Sequence, residues 1–542
     1  MTPSDRQAVI LLFNGVVAAG EAQTPAPGSV AVAGGRILGV GRDQDVRPLA
    51  GPDTERIDLG GRLVVPGFID SHIHFHEWAL KRQGLQLDDL TNLEELLARV
   101  TRAAAQRPAG QWIMGQGWNE TDWSEPHMPT RAVLDRAAPD HPVLLWRCDL
   151  HLAAANSAAL KLAGIDAWTP EPAEGRIERD AHGQPTGILR ELAINLVRQA
   201  VAPPTAGQVA RAFEAATQAL YQWGVTAIHD VRLMADEDGA VALGTFQMLD
   251  QEDRLGLRTW VTLPGHRLEA IIGLGLRTGF GNEHLRIGHV KYFSDGGMGA
   301  RTAWMIDPFR DAQCGMPLME MQALARQVQQ ADRAGLSVMV HAVGDRANRE
   351  LVDLFEKLEA QRARRGTPPP AIPHRIEHVQ MIRPEDAQRL SRLPLGLCLT
   401  PSNMVLDMNL IDAAVGEKGC WTYAFRRLLD TGAPLMFSSD CPVCAPDPLA
   451  GIHAAVTRRR ADGTPASGWH PHQRITAAEA LRAYTVTPAA FHRTPGLGVI
   501  APGKRADLAV LSHNILEQPA ARLAQTRVDM TLFDGRVVYR RF

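Results

Sequence analysis

The chain has 542 residues, too many for one ordinary domain and enough for a large barrel with a second unit. Hydrophobic residues make up 45% and charged residues 22%, the balance of a globular protein rather than a disordered chain. Lys+Arg 57 against Asp+Glu 60 leaves −3, which offers no basic footprint for nucleic acid or an anionic membrane.

Six cysteines in this length exclude a disulfide scaffold. Cys441 and Cys444 form a C-x-x-C punctuated by Pro442 and Pro446, and no second Cys pair completes a zinc ribbon. They are read as structural or pocket-lining thiols. The start, MTPSDRQAVILLFNGVVAAGEAQ, lacks a basic n-region and reads as strand, turn and strand rather than as a signal peptide. No run of 18 apolar residues occurs, so no membrane span and a cytoplasmic setting are expected.

In chain order, residues 1–64 read as β. AVILLFNGVVAAG, SVAVAGGRILGVG and ERIDLGGRLVV are short runs separated by Gly or Asn-Gly turn signals. The C-terminal stretch repeats the style, with a hairpin signal at Asp534-Gly535. The economical reading is one composite β-sandwich, 1–64 plus 496–542, built from both ends. The middle, 65–495, alternates strands and helices, which implies a parallel sheet.

Eight strands are placed there: 64–75, 226–230, 258–263, 289–295, 337–343, 375–380, 396–401 and 435–440. Eight is the count that closes a (β/α)8 barrel. Between them, Thr205-Ala-Gly-Gln208 and Thr476-Ala-Ala-Glu479 are capping-box patterns, and Gly335 stands in the C′ position of a helix. The first and second strands lie about 150 residues apart, far more than a βα unit needs. Residues 77–204 are therefore read as an inserted subdomain at the barrel mouth. GTPPPAIP (366–373) is a stiff surface loop.

Metal-ligand residue types fall at the ends of five of these strands: His72-Ile-His74, Lys291, His341, His378 and Asp440. The C-terminal strand ends are where a barrel converges side chains on one point. His72 and His74 are two apart in a strand and share a face, so both can grip one divalent cation. His76 continues the parity. Asp70 shares it as well and is a candidate to fix an imidazole tautomer. Glu377 is expected to point away from His378. Asp440 can handle a proton as general base and then general acid. A buried ammonium at Lys291 is unwelcome beside cations. Reaction with CO2 would turn it into a carbamate able to bridge two metals, and a salt bridge to Asp295 is the alternative.

Taken together, PGFIDSHIH, GQGWNETDW (115–123), DLHLAAANSAAL (149–160), KYFSDGGMGARTAW (291–304), HAVGDRANR (341–349), RIEHVQMIRPED (375–386), SSDCPVCAPDPLAGI (438–452) and APGKRADLAVL (501–511) resemble the amidohydrolase superfamily, and within it amidohydrolase family 3. The resemblance spans nearly the whole chain. It implies a distorted TIM barrel and a metal-dependent hydrolase of the N-substituted formamide deformylase type, cleaving an amide, formamide or carbamate-like C–N bond of a small molecule. His72, His74, Lys291, His341, His378 and Asp440 match its metal-site positions, with Lys291 often carboxylated and one or two ions, Zn2+ foremost. Asp440 and His378 are the expected catalytic pair, acting on a metal-activated water.

Trp118, Glu120, His151, Met298, Arg301 and Trp304 are the expected substrate contacts. Arg301 is read either as a carboxylate clamp or as an ion pair with Asp295 or Asp307. A homodimer is compatible with this reading. A single-metal deaminase of a heterocyclic amine is the competing enzyme, and a non-catalytic barrel scaffold is the remote alternative.

Overall fold

A computed structural model describes residues 8–120, 123–147, 152–172, 175–191, 193–232 and 239–542. The chain forms two compact units, 1–76 with 214–542, and 77–213.

The first unit contains the barrel. Its strands are β1 (Phe68–Ile73), β2 (Val225–Asp230), β3 (Arg258–Pro264), β4 (Leu285–Phe293), β5 (Val338–Ala342), β6 (Arg375–His378), β7 (Gly396–Leu399) and β8 (Leu435–Phe437). All seven neighbouring pairs from β1 to β8 are parallel. Every strand is nearly continuous in buried residues, as a parallel sheet covered on both faces requires. The ends of the sheet are joined just past β8. Asp440 N donates to His72 O (2.9 Å) and His74 N donates to Cys441 O (2.8 Å).

The run 64–75 is two strands rather than one. Leu63–Pro66 belongs to another sheet, and Gly67 alone separates it from β1. A Cβ at Gly67 would meet Thr226 Oγ1 at 2.3 Å, so glycine is what lets the chain pass this close to β2.

That other sheet has eight strands taken from both ends of the chain. Ala8–Ala19 lies at its branch point, antiparallel to Thr24–Ala33 and parallel to Ala50–Asp58 and Leu63–Pro66. Leu508–Leu511 pairs Leu63–Pro66, and the hairpin Val528–Phe533 with Arg536–Arg540 follows. Asp534 and Gly535 turn that hairpin with φ of 48° and 76°. Alternation sorts the side chains. Ile10, Leu12, Val30, Val32, Val510, Met530 and Leu532 share one apolar cluster, while Leu11 and Ala31 pack on the other face with Val46. Arg258, at the start of β3, donates to Asp507 (2.6 Å) and Asp534 (2.9 Å), and Thr531 Oγ1 donates to Tyr221 O (2.6 Å). These buried ties explain why sheet and barrel form one compact unit.

Both capping boxes are formed. Thr205 and Gln208 open the helix Ala206–Gln222, and Thr476 and Glu479 open Ala477–Tyr484. Gly335, with φ of 75°, follows the helix Met321–Arg333.

The second unit has a six-stranded mixed sheet and its own core around Leu96, Val100, Ile113, Trp118 and Leu145. Among the described residues no helix is long and apolar enough to cross a membrane.

Candidate metal centre

The strand ends do converge. Ligand atoms of His72, His378 and Asp440, from β1, the end of β6 and the turn after β8, lie within 4.8 Å of one another. His72 Nε2 and His74 Nε2 each stand 3.4 Å from the same oxygen, Asp440 Oδ1. The His341 and His378 ring centroids are 4.6 Å apart, and those of His72 and His378 are 5.2 Å apart. His378 and Asp440 have left-handed backbones, with φ of 67° and 56°. Such conformations are disfavoured for residues with a Cβ and cluster where function over-determines geometry.

The hydrogen bonds set the tautomers. His72 Nδ1 donates to Glu377 Oε2 (2.5 Å), and His74 Nδ1 donates to Val231 O (2.9 Å). His341 Nε2 donates to Gly296 O (3.1 Å). Each ring is left with one lone pair: Nε2 of His72, Nε2 of His74 and Nδ1 of His341. Burial, followed by the Lys291 charge, brings His72 down to about 4, and burial brings His378 down to about 3. His341 is held well below its usual value by burial and then by His378. These imidazoles are neutral, as metal ligands must be.

Burial lowers Lys291 to about 8, against the opposing pull of Glu377 and Asp440. Among the described residues its Nζ and the His72 Nε2 are buried with no hydrogen-bond partner. The Asp295 alternative fails. Asp295 accepts N–H groups from Val343 (3.0 Å), Gly344 (2.8 Å) and Trp304 (2.8 Å), which tie the loop after β4 to the loop after β5. Orphaned nitrogens, neutral imidazoles and a carboxylate are a donor set that fits a divalent cation.

Two neighbours have roles that the sequence reading did not give them. Glu377, expected to face away, is the residue that fixes the His72 tautomer. Alternation turns it from His378, but the closed barrel puts that direction in the interior, toward β1. Arg375 holds it through Nε (2.5 Å) and Nη2 (2.7 Å). Among the described residues no imidazole nitrogen is bonded to Asp70. It accepts from His72 N (3.2 Å), Ser439 N (3.1 Å) and Ser439 Oγ (2.5 Å), and so helps close the barrel.

A further residue, Asn403, was missed. Its Nδ2 donates to Asp440 Oδ2 (3.3 Å) from the helix Pro401–Val415. A second trio, His229, His289 and His492, also lies within ligand distance. Arg375 Nη1 donates to His229 Nδ1 (3.0 Å), and a guanidinium there makes the trio a poor cation site.

The expected substrate contacts belong to both units. Trp118 is fully buried in the core of the second unit, its ring tilted against that of Trp123 with centroids 6.2 Å apart. Glu120 is buried and paired with Arg147 (2.9 Å). His151 lies outside the described residues. Met298 is buried on the loop after β4. Arg301 pairs with Asp311 through two 2.8 Å bonds, rather than with Asp295 or Asp307. Trp304 is half-buried, with Arg346 4.9 Å over its ring. Cys441 and Cys444 are thiols and not disulfide-bonded.

A parallel barrel with histidines, a buried lysine and an aspartate gathered at its C-terminal strand ends defines the class of metal-dependent hydrolases. Comparison with known proteins gives the family. The amidohydrolase family model matches residues 55–539, and the chain belongs to amidohydrolase family 3. It is 32% identical over 523 residues to Protein LONG AFTER FAR-RED 3 of Arabidopsis thaliana, covering 94% of this chain and 88% of that one. It is 29% identical over 553 residues to N-substituted formamide deformylase of Arthrobacter pascens, covering 98% of each. The crystal structure of an uncharacterized metal-dependent hydrolase from Pyrococcus furiosus superposes with a TM-score of 0.76 at 28% identity, covering 94% of this chain and all of that one. The chain is a hydrolase acting on carbon–nitrogen bonds.

Proposed function

We propose that this chain hydrolyses an amide, formamide or carbamate-like bond of a small molecule, with zinc held by His72, His74, His341, His378 and Asp440 and by a carboxylated Lys291. One observation carries the reading: two imidazole lone pairs, at His72 and His74, face one carboxylate oxygen of Asp440 at 3.4 Å. Three electron-rich atoms gathered out of water repel unless a cation lies among them.

When bound, the ion polarises a carbonyl and makes a water acidic enough to ionise near neutral pH. Asp440 takes the proton of the attacking water and returns it to the leaving nitrogen. Asn403 holds the far oxygen of Asp440 and so orients the near one. Glu377 keeps the His72 lone pair turned toward Asp440. Lys291, lowered to about 8, has a share of neutral amine at physiological pH, the form that adds to CO2. Its nitrogen would bond the carbon of CO2 as one C=O pair moves onto oxygen, and the N–H proton would pass to solvent, leaving an anionic carbamate. The full-length likeness to a formamide deformylase supports the choice of a C–N bond.

The test is amine release from N-formyl, N-acyl, carbamate and cyclic amide substrates by zinc-reconstituted enzyme. Activity on one class, with about two zinc ions per chain and a carbamate on Lys291, is expected. No activity on any class would overturn the reading. The tight trio of His72, His378 and Asp440 suits a single ion, which favours the deaminase as second reading. Ammonia release from a heterocyclic amine, with one zinc per chain and free Lys291, would select it.

A further inference from the structure

His378 leaves β6 in a strained turn. Val379 N donates to Glu377 O (2.9 Å), which closes three residues around His378. His378 and Val379 both have left-handed backbones, with φ of 67° and 40°. A β-branched valine is an outlier in that region, so the turn must be held from outside. The sheet does not hold it on the β7 side, where the pairing of β6 stops at Glu377. The segment 421–423 does. Tyr423 N donates to Gln380 O (2.8 Å), Ile382 N donates to Trp421 O (3.1 Å), and Met381 and Thr422 form an antiparallel bridge. Tyr423 is fully buried and left-handed in turn, with φ of 46°, and Arg458 Nη1 donates to its carbonyl (2.9 Å).

Both segments meet at one atom. Gln380 Nε2 (2.8 Å) and Tyr423 Oη (2.6 Å) donate to the same carboxylate oxygen, Asp407 Oδ2. Asp407 lies in the helix Pro401–Val415, one turn after Asn403, so the two side chains share a helix face. Asn403 Nδ2 in turn donates to Asp440 Oδ2 (3.3 Å). A single oxygen therefore joins the loop that carries His378 to the helix that orients Asp440. These two residues belong to the tight trio of the metal centre, yet they follow β6 and β8, which are not neighbours in the sheet.

We propose that Asp407 is a positioning residue of the metal centre, which sets the placement of His378 against Asp440 by accepting Gln380 and Tyr423 on one oxygen. What it supplies is an acceptor at a fixed point, not a charge. The assignment rests on the metal reading proposed above, and the test separates the two.

The test compares Asp407→Ala with Asp407→Asn in the full chain. Alanine removes the acceptor, whereas asparagine keeps one oxygen able to accept from both donors. Zinc affinity is read by chelator competition, and ligand geometry by the visible absorption of the cobalt(II)-substituted protein. Asp407→Ala should weaken zinc binding by about 10-fold or more and alter the cobalt spectrum. Asp407→Asn should restore both to the wild-type values. Gln380→Met cuts the link at its other end and should reproduce the alanine effect; it carries the comparison if Asp407→Ala does not fold. A wild-type spectrum and affinity in Asp407→Ala or in Gln380→Met overturns the positioning role. So does an Asp407→Asn as impaired as Asp407→Ala, since charge and not placement would then matter. A wild-type chain that takes up neither zinc nor cobalt overturns the metal reading, and this role with it.

Discussion

Glu377→Gln is the most informative single change near the metal centre. Glu377 is fully buried, and both of its oxygens face donors. Oε2 meets His72 Nδ1 (2.5 Å) and Arg375 Nη2 (2.7 Å), while Oε1 meets Arg375 Nε (2.5 Å). Glutamine has one oxygen, so either amide orientation turns an NH2 against a donor. His72 then loses the charged acceptor that keeps its proton on Nδ1. A hydrogen bond to a charged group is worth about 1.5–3 kcal/mol, so zinc affinity should fall about 10- to 100-fold. Arg375 also loses its counter-charge where no water reaches, which should cost about 3–5 kcal/mol of stability.

The double variant Arg375→Met with Glu377→Gln separates the two effects. It removes both charges and should recover much of the stability, but not the zinc affinity. Chelator competition measures the affinity and urea unfolding measures the stability. Wild-type zinc affinity in Glu377→Gln would refute the tautomer argument. So would a double variant that regains stability and affinity together.

Asp440→Asn should keep the fold and lower kcat by about 10²- to 10⁴-fold, because the amide cannot take a proton; unchanged turnover of the best amide substrate would contradict its role. Removing metal with a chelator should abolish activity and lower the Tm, both restored by zinc, and an unshifted Tm would argue that no ion is held by the fold. The buried trio predicts acid sensitivity. His492 is brought down to about 3, and His229 and His289 are held well below their usual values, by burial first and then by Arg375. In the unfolded chain these groups take up protons as pH falls through about 6.5, whereas the folded ones do so far lower. The unfolded state binds more protons across that window, so this contribution is full above about 6.5 and declines as pH falls. The decline reaches about 1.4 kcal/mol per pH unit for each histidine. Urea midpoints between pH 7.5 and 5 should show it, with a shallower slope in His492→Phe; a flat profile would exclude it.

The eight barrel strands and the residues at their ends were legible in the sequence because both are local. A buried parallel strand announces itself as an apolar run bounded by turn residues, and a ligand at its end is simply the next residue. The H-x-H spacing needs no more than strand alternation. The terminal strands were legible for the same reason.

What only tertiary structure decided is which direction counts as inside, and which groups meet there. Alternation correctly turned Glu377 away from His378. Only closure of the sheet made that direction the barrel interior, where β1 supplies His72. Asp70 carries the right parity to serve an imidazole, yet β8 arrives beside it and takes its oxygens for barrel closure. Trp118 sits in a motif-like Gly-rich turn, but the second unit packs its core on that ring. Asn403 gave no sequence signal, because its meaning lies in a partner far along the chain. Short-range sterics and hydrophobic period write the elements and their end residues into the sequence. Electrostatic pairing depends on distance in space, and the folded chain alone sets that.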